Sequence, residues 1–197
     1  MLKKIGMAML IIASLGIAAA TNESKQIKFH KTFKESNQVN KNLSNEDKEI
    51  INIAINFANE YIQLKNPDEF DKWFAKAPIT EKFRKEYRRR EKHIELSQKA
   101  LEGKLTPADE KFLKENDDID SYYLYDPLLG LGIGDLVQES EFLLKEYNPK
   151  SKIVRLKDKY EEEFVIDGRK GYLGGTEIVL KLVKQNGKWL IDESKIK

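Results

Sequence analysis

The hydrophobic period of this chain changes near Asp117, and that change restricts the folds open to it. Upstream, apolar residues recur every three or four positions, the spacing of a helix face. Downstream they fall in short alternating runs, the spacing of half-buried strands. Ile50, Ala54, Phe57, Tyr61 and Leu64 form the clearest stripe and predict a helix from about Asn45 to Lys65. Ser44 stands where an N-cap is needed, and Asp47 lies in the first turn, where its charge suits the helix dipole. Asn66-Pro67-Asp68-Glu69 ends that helix and opens a short one presenting Phe70, Trp73 and Phe74, because proline is tolerated only in a first turn. Thr80 caps a third helix running towards Gly103, with Phe83, Tyr87, Ile94 and Leu101 as its expected inner face. Thr106-Pro107-Ala108-Asp109-Glu110 starts a fourth, which carries Phe112 and Leu113.

Strands are expected near Glu141–Tyr147, Lys152–Phe164, Thr176–Gln185 and Lys188–Asp192. Asn186-Gly187 between the last two is the preferred pair for a tight type I′ hairpin. Asp167-Gly168 and Gly174-Gly175 mark a second turn region. Helices first and consecutive antiparallel strands last define an α+β domain over residues 44–197, with the helices packed on one face of the sheet.

The first 20 residues have a different character. Lys3 and Lys4 precede an apolar run from Ile5 to Ile17, and Ala18-Ala19-Ala20 supplies small residues at the exit. This is the anatomy of a secretory signal peptide, with cleavage expected after Ala20 and a periplasmic or secreted address. The apolar run is shorter than the roughly 20 residues that span a bilayer, so stable membrane insertion after cleavage is not expected. Residues 21–43 are polar, without a period, and read as a flexible leader. The chain has no cysteine, which excludes a disulfide, a thiolate nucleophile and a lipidated cysteine. Lys plus Arg number 35 against 33 Asp plus Glu, and losing Lys3 and Lys4 brings the two into balance. Such a surface argues against a dedicated nucleic-acid or membrane binder.

Few motifs carry chemistry. In LGLGIGD (129–135) Gly130 and Gly132 have the spacing of a dinucleotide loop, but the third glycine position holds Asp135, whose charge would repel pyrophosphate. Asp126-Pro127 precedes it instead of a β-branched strand, so the glycines read as a turn. Asp117-Asp118-Ile119-Asp120 lacks the glycine and the closing glutamate of a calcium loop and reads as a solvated acidic connection. The basic run Phe83–Lys92 is broken up by Glu81, Glu86, Glu91 and Glu95, several at salt-bridging spacing, as on an exposed helix face. His30 lies in the leader and His93 in a charged helix, so neither suggests a catalytic base.

The order of elements, with the ending Val183-Lys184-Gln185-Asn186-Gly187-Lys188-Trp189-Leu190-Ile191-Asp192, resembles the nuclear transport factor 2-like superfamily. Tyr123-Leu124-Tyr125-Asp126-Pro127-Leu128, with Gly134-Asp135 downstream, is similar to a motif of small exported bacterial members of unassigned function. Gly134 stands where those carry Gln. The resemblance implies a strongly curved, cone-like antiparallel sheet wrapped by the helices. The superfamily contains enzymes, transport adaptors and non-catalytic binders, so the fold does not choose among them. Tyr123, Tyr125, Asp126, Asp135 and Trp189 are the candidate ligand- or partner-binding residues, with Tyr125 and Trp189 as walls and the two aspartates at the rim. The Tyr–Asp cluster equally reads as a hydrogen-bonded corner holding the Asp-Pro turn. The expected function is an exported, non-catalytic binding or interaction module for a small molecule or a protein. No metal or cofactor is expected, and a homodimer is compatible. The alternatives are an inhibitor or immunity-type protein for a secreted toxin, and a small lyase or isomerase using a buried carboxylate.

Overall fold

A computed structural model describes residues 43–119, 126–132, 135–166 and 169–197. The expected signal peptide, nearly all of the leader, Tyr123, Tyr125, Asp120, Gly134 and Asp167-Gly168 lie outside the described residues. The described residues form an α+β fold, with four helices and an open antiparallel sheet among them. Among the described residues no helix is long and apolar enough to cross a membrane.

Helices α1 (Asn45–Ile62), α2 (Pro67–Phe74), α3 (Glu81–Leu101) and α4 (Pro107–Glu115) each begin at a side-chain cap. Ser44, Asn66, Thr80 and Thr106 accept hydrogen bonds from the backbone N–H of Asp47, Glu69, Phe83 and Asp109. Such a cap contributes about 1 kcal/mol, which gives each helix a defined start. Phe57 and Tyr61 of α1, Phe70, Trp73 and Phe74 of α2, and Phe83 and Tyr87 of α3 then pack ring against ring, with centroids 4.6 to 6.2 Å apart. The space between the first three helices is thereby filled. The expected inner face of α3 holds for Phe83 and Tyr87 but not for Leu101, which is 91% exposed. The second half of α3 packs with α4, where Lys92 Nζ lies 4.1 Å from the Phe112 ring centre, and the buried position is Leu96.

The sheet contains β1 (Phe142–Asn148), β2 (Ile153–Asp158), β5 (Glu177–Gln185) and β6 (Lys188–Ile196), in the order β1-β2-β5-β6. Alternation sends Val154, Leu156, Ile178, Leu180, Leu182 and Ile191 towards the helices, where they are fully buried or nearly so. Bulges in β1 and β6 shift the register between Leu144 and Glu146 and between Lys181 and Leu182. Thr80 N–H donates to Ile191 C=O and Ile191 N–H to Pro78 C=O, so the segment before α3 is hydrogen-bonded to the outer edge of β6.

One expected strand divides into two. Lys152–Phe164 is β2 followed by β3 (Glu161–Ile166), broken where the Asp158 carboxylate accepts from the N–H groups of Glu141 and Tyr160 and from the Ser140 hydroxyl. The strand β4 (Arg169–Gly174) lies where the sequence pattern suggests only turns. Glycine weakens a strand, but the Phe164 ring covers Gly171 so closely that a Cβ there would lie 2.4 Å from it. β3 and β4 pair with each other as a separate two-stranded arm.

Candidate functional site

The segment around Asp126 is a buried corner. Asp126 is 2% exposed, and its carboxylate accepts from the Tyr61 hydroxyl at 2.7 Å, Leu128 N–H at 2.9 Å and Leu129 N–H at 3.2 Å. Burial pushes its carboxyl above the ordinary value, opposed by the bonds from Tyr61 and the backbone amides. Gly130 N–H donates back to the Asp126 carbonyl, and Gly130 takes a φ of 83°, which glycine adopts without penalty. In the same loop the Asp135 carboxylate accepts from Gly132 N–H, and its carbonyl accepts from the Thr176 hydroxyl. Both aspartates therefore accept backbone N–H groups of their own segment, and the described residues Asp126–Gly130 form a hydrogen-bonded turn.

Trp189 belongs to the other end of α1. Its indole N–H donates to Glu46, and its ring lies beneath the ammonium groups of Lys152 and Lys184 at 5.5 and 5.6 Å. Beside it, Asp47 accepts from the Tyr147 hydroxyl at 2.6 Å and pairs with Lys152 at 3.1 Å. These bonds hold the Asp47 carboxyl well below the ordinary carboxylate value, led by the one from Tyr147. Glu46 and Tyr61 are separated by about 22 Å of helix, taking ~1.5 Å per residue. Asp126 and Asp135 thus have separate sets of partners, and Trp189 lies at the opposite end of α1 from the Tyr61–Asp126 contact.

A groove among the described residues lies elsewhere, between α3 and the sheet. This groove has a volume of about 830 Å³. On the sheet face opposite Val154, Leu180 and Leu182, Ile153 pairs with Lys181, Val179 with Lys195, and Lys181 with Glu193. Ile153, Val179 and Phe83 give the groove an apolar lining, with Val179 only 6% exposed. None of the described sequence candidates lines it.

Most of the groove's charges are paired. Lys82 bridges Asp192 at 2.9 Å and Glu193 at 2.8 Å, while Glu86 accepts from Arg89 at 2.8 Å and Arg90 at 2.9 Å. Burial works against ionisation of Asp192, but hydrogen bonds from Lys82 and Thr80 outweigh it and hold the carboxyl below its ordinary value. The hydrogen bond from Arg89 lowers Glu86 likewise. The ammonium of Lys82 is stabilised by Glu193 and Asp192, which raises it. Among the described residues, Lys85 and Lys195 line the groove with no hydrogen-bonded or ionic partner, and Glu81 is the corresponding carboxylate. Six cationic and four acidic side chains line the groove in all. Its chemistry suits an apolar body with a negatively charged group.

The basic run of α3 is the sequence signal that leads here. Among the described residues, the expected salt-bridging by its glutamates is met at Arg89 and Arg90, which both pair with Glu86, but not at Lys85, four residues after Glu81. Lys181, Glu193 and Lys195 carry no motif, because their role comes from alternation across the sheet. Among the described residues no group of three or more metal-ligating side chains comes together. No protein-family model matches the chain, and neither a curated protein nor a solved structure shows significant similarity to it.

Proposed function

We propose that this chain is an exported, non-catalytic binding module of cone-like α+β architecture, whose groove beside α3 takes an amphipathic ligand bearing a negative charge. The observation that carries the proposal is the pairing of an apolar lining with two uncommitted ammonium groups, Lys85 and Lys195, in one concavity. Pockets of this kind gain affinity from apolar burial and orientation from a few polar groups. The buried carboxylates support the non-catalytic reading. Asp126 and Asp158 accept hydrogen bonds from intrachain donors and hold local structure.

The test is native mass spectrometry of the chain purified from its own compartment, followed by titration with dodecanoate as an amphipathic anion. The expected spectrum starts at Thr21 and carries a reproducible small added mass. Reversing both lysines, K85E/K195E, should weaken dodecanoate binding about tenfold, since two partly exposed charges together contribute on the order of 1 to 2 kcal/mol. An apo chain with equal dodecanoate affinity in the variant refutes the assignment.

A second reading is an inhibitor or immunity-type protein that binds another protein. The aromatic filling between the helices and the exposure of Tyr172 favour it. A clean apo spectrum, with the partner recovered by cross-linking in the periplasm, would select it.

A further inference from the structure

The arm made by β3 and β4 is the least supported part of the fold. Its two strands pack chiefly against each other, and a lone two-stranded hairpin is marginally stable in water. One face is closed by Phe164 lying on Gly171. The opposite face carries Glu161, Glu163, Val165, Lys170 and Tyr172, by the pairings Glu163 with Tyr172 and Val165 with Lys170. Val165 is 53% and Tyr172 57% exposed, the only large apolar side chains of the described sheet and arm that are more than half exposed. We infer that two copies of the chain associate face to face through this arm.

The choice of a second copy rests on the charge pattern. The face is acidic at the base of the arm, at Glu161 and Glu163, and basic towards its tip, at Lys170. An isologous contact must be complementary to itself. Two arms laid antiparallel about a two-fold axis at the Phe164–Gly171 level bring Lys170 of each copy onto the Tyr172 ring and the Glu163 carboxylate of the other. Lys170 already pairs with Glu163 of its own chain at 2.7 Å, so the dimer closes a four-membered charge ring around Val165 and Tyr172. Parallel arms would set like charges together. The arm is small, so the contact falls in the class of weak interfaces below about 1,200 Å², and association is concentration-dependent.

Sedimentation velocity of the whole chain over a range of about 5 to 200 µM tests this. The expected result is a monomer that becomes a dimer within the range, with V165S/Y172S weakening association at least about tenfold. L101S, which removes an even more exposed apolar residue on α3, should leave it unchanged. The decisive arm uses charge. K170E and E163K, each monomeric alone, should form a heterodimer when mixed, which a purely intrachain role of this pair would not produce. The proposal is overturned if the wild-type chain remains monomeric throughout, leaving the arm to a different protein. It is equally overturned if the dimer survives V165S/Y172S or the mixed variants stay apart.

Discussion

Replacing Asp126 by alanine removes the acceptor shared by three donors, the Tyr61 hydroxyl and the N–H groups of Leu128 and Leu129. Leu128 and Leu129 are 0% exposed, so water has no ready route to the orphaned amides. An unsatisfied buried donor costs about 1 to 3 kcal/mol, and relief of the buried carboxylate's own desolvation offsets part of that sum. The net expectation is a loss of about 3 kcal/mol, or a fall in Tm of roughly 6 to 12 °C for a domain of this size. D126N keeps one acceptor oxygen but turns an NH₂ towards a backbone N–H, and should lose about 1 to 2 kcal/mol.

The pH dependence has a definite sign. Burial raises the folded-state value of Asp126, so folding takes up a proton there. Its contribution is fully present below the unfolded value of about 4 and is lost as pH rises through the folded value. Asparagine does not titrate, so wild type should exceed D126N by more near pH 4 than near pH 7. Thermal unfolding followed by circular dichroism at both pH values reads all of this. A loss below about 1 kcal/mol in D126A, or a wider gap at the higher pH, would refute the corner reading.

Thr80 both caps α3 and donates to Asp192 at 2.8 Å, so Thr80→Ala should cost about 2 kcal/mol in a denaturant titration. Gly174 and Gly187 both take positive φ, but only at Gly174 would a Cβ meet backbone, 2.4 Å from the Tyr160 carbonyl oxygen. Gly187→Ala should therefore lose about 1 kcal/mol and Gly174→Ala at least twice as much, compared by thermal melts. Asp192 has the opposite sign to Asp126. Its lowered folded value makes a contribution that is present above the unfolded value near ~4 and lost in acid, so D192N should flatten the acid limb of the stability profile.

What was legible in the sequence was local. The four helix starts depend on a capping residue and the three positions after it, and the Asn186-Gly187 hairpin depends on two residues between alternating runs. The Leu101 expectation failed because a periodic stripe says where a face points and not where its partner ends. The strand β4 was hidden because Gly171 and Gly174 suggest turns, and the compensating Phe164 sits on the opposite strand. The sites depend on partners far apart in the chain. Tyr61 and Asp126 are 65 positions apart, and Lys82 and Asp192 110. No local pattern encodes that Lys85 and Lys195 border one groove.

The arm also bears on how the sheet assembles. β2 and β5 are adjacent in the sheet yet separated in sequence by the whole of β3 and β4, and Asp158 N–H to Thr176 C=O carries the pairing across the bend. The four strands amount to one long hairpin with a bend in it. Closing a long loop in a single event would carry its full entropic cost at once, whereas a hairpin that starts in the arm adds each pair beside the last. Because the arm is continuous with both β2 and β5, shortening it is expected to change the rate of refolding more than the finished sheet, which stopped-flow refolding would read.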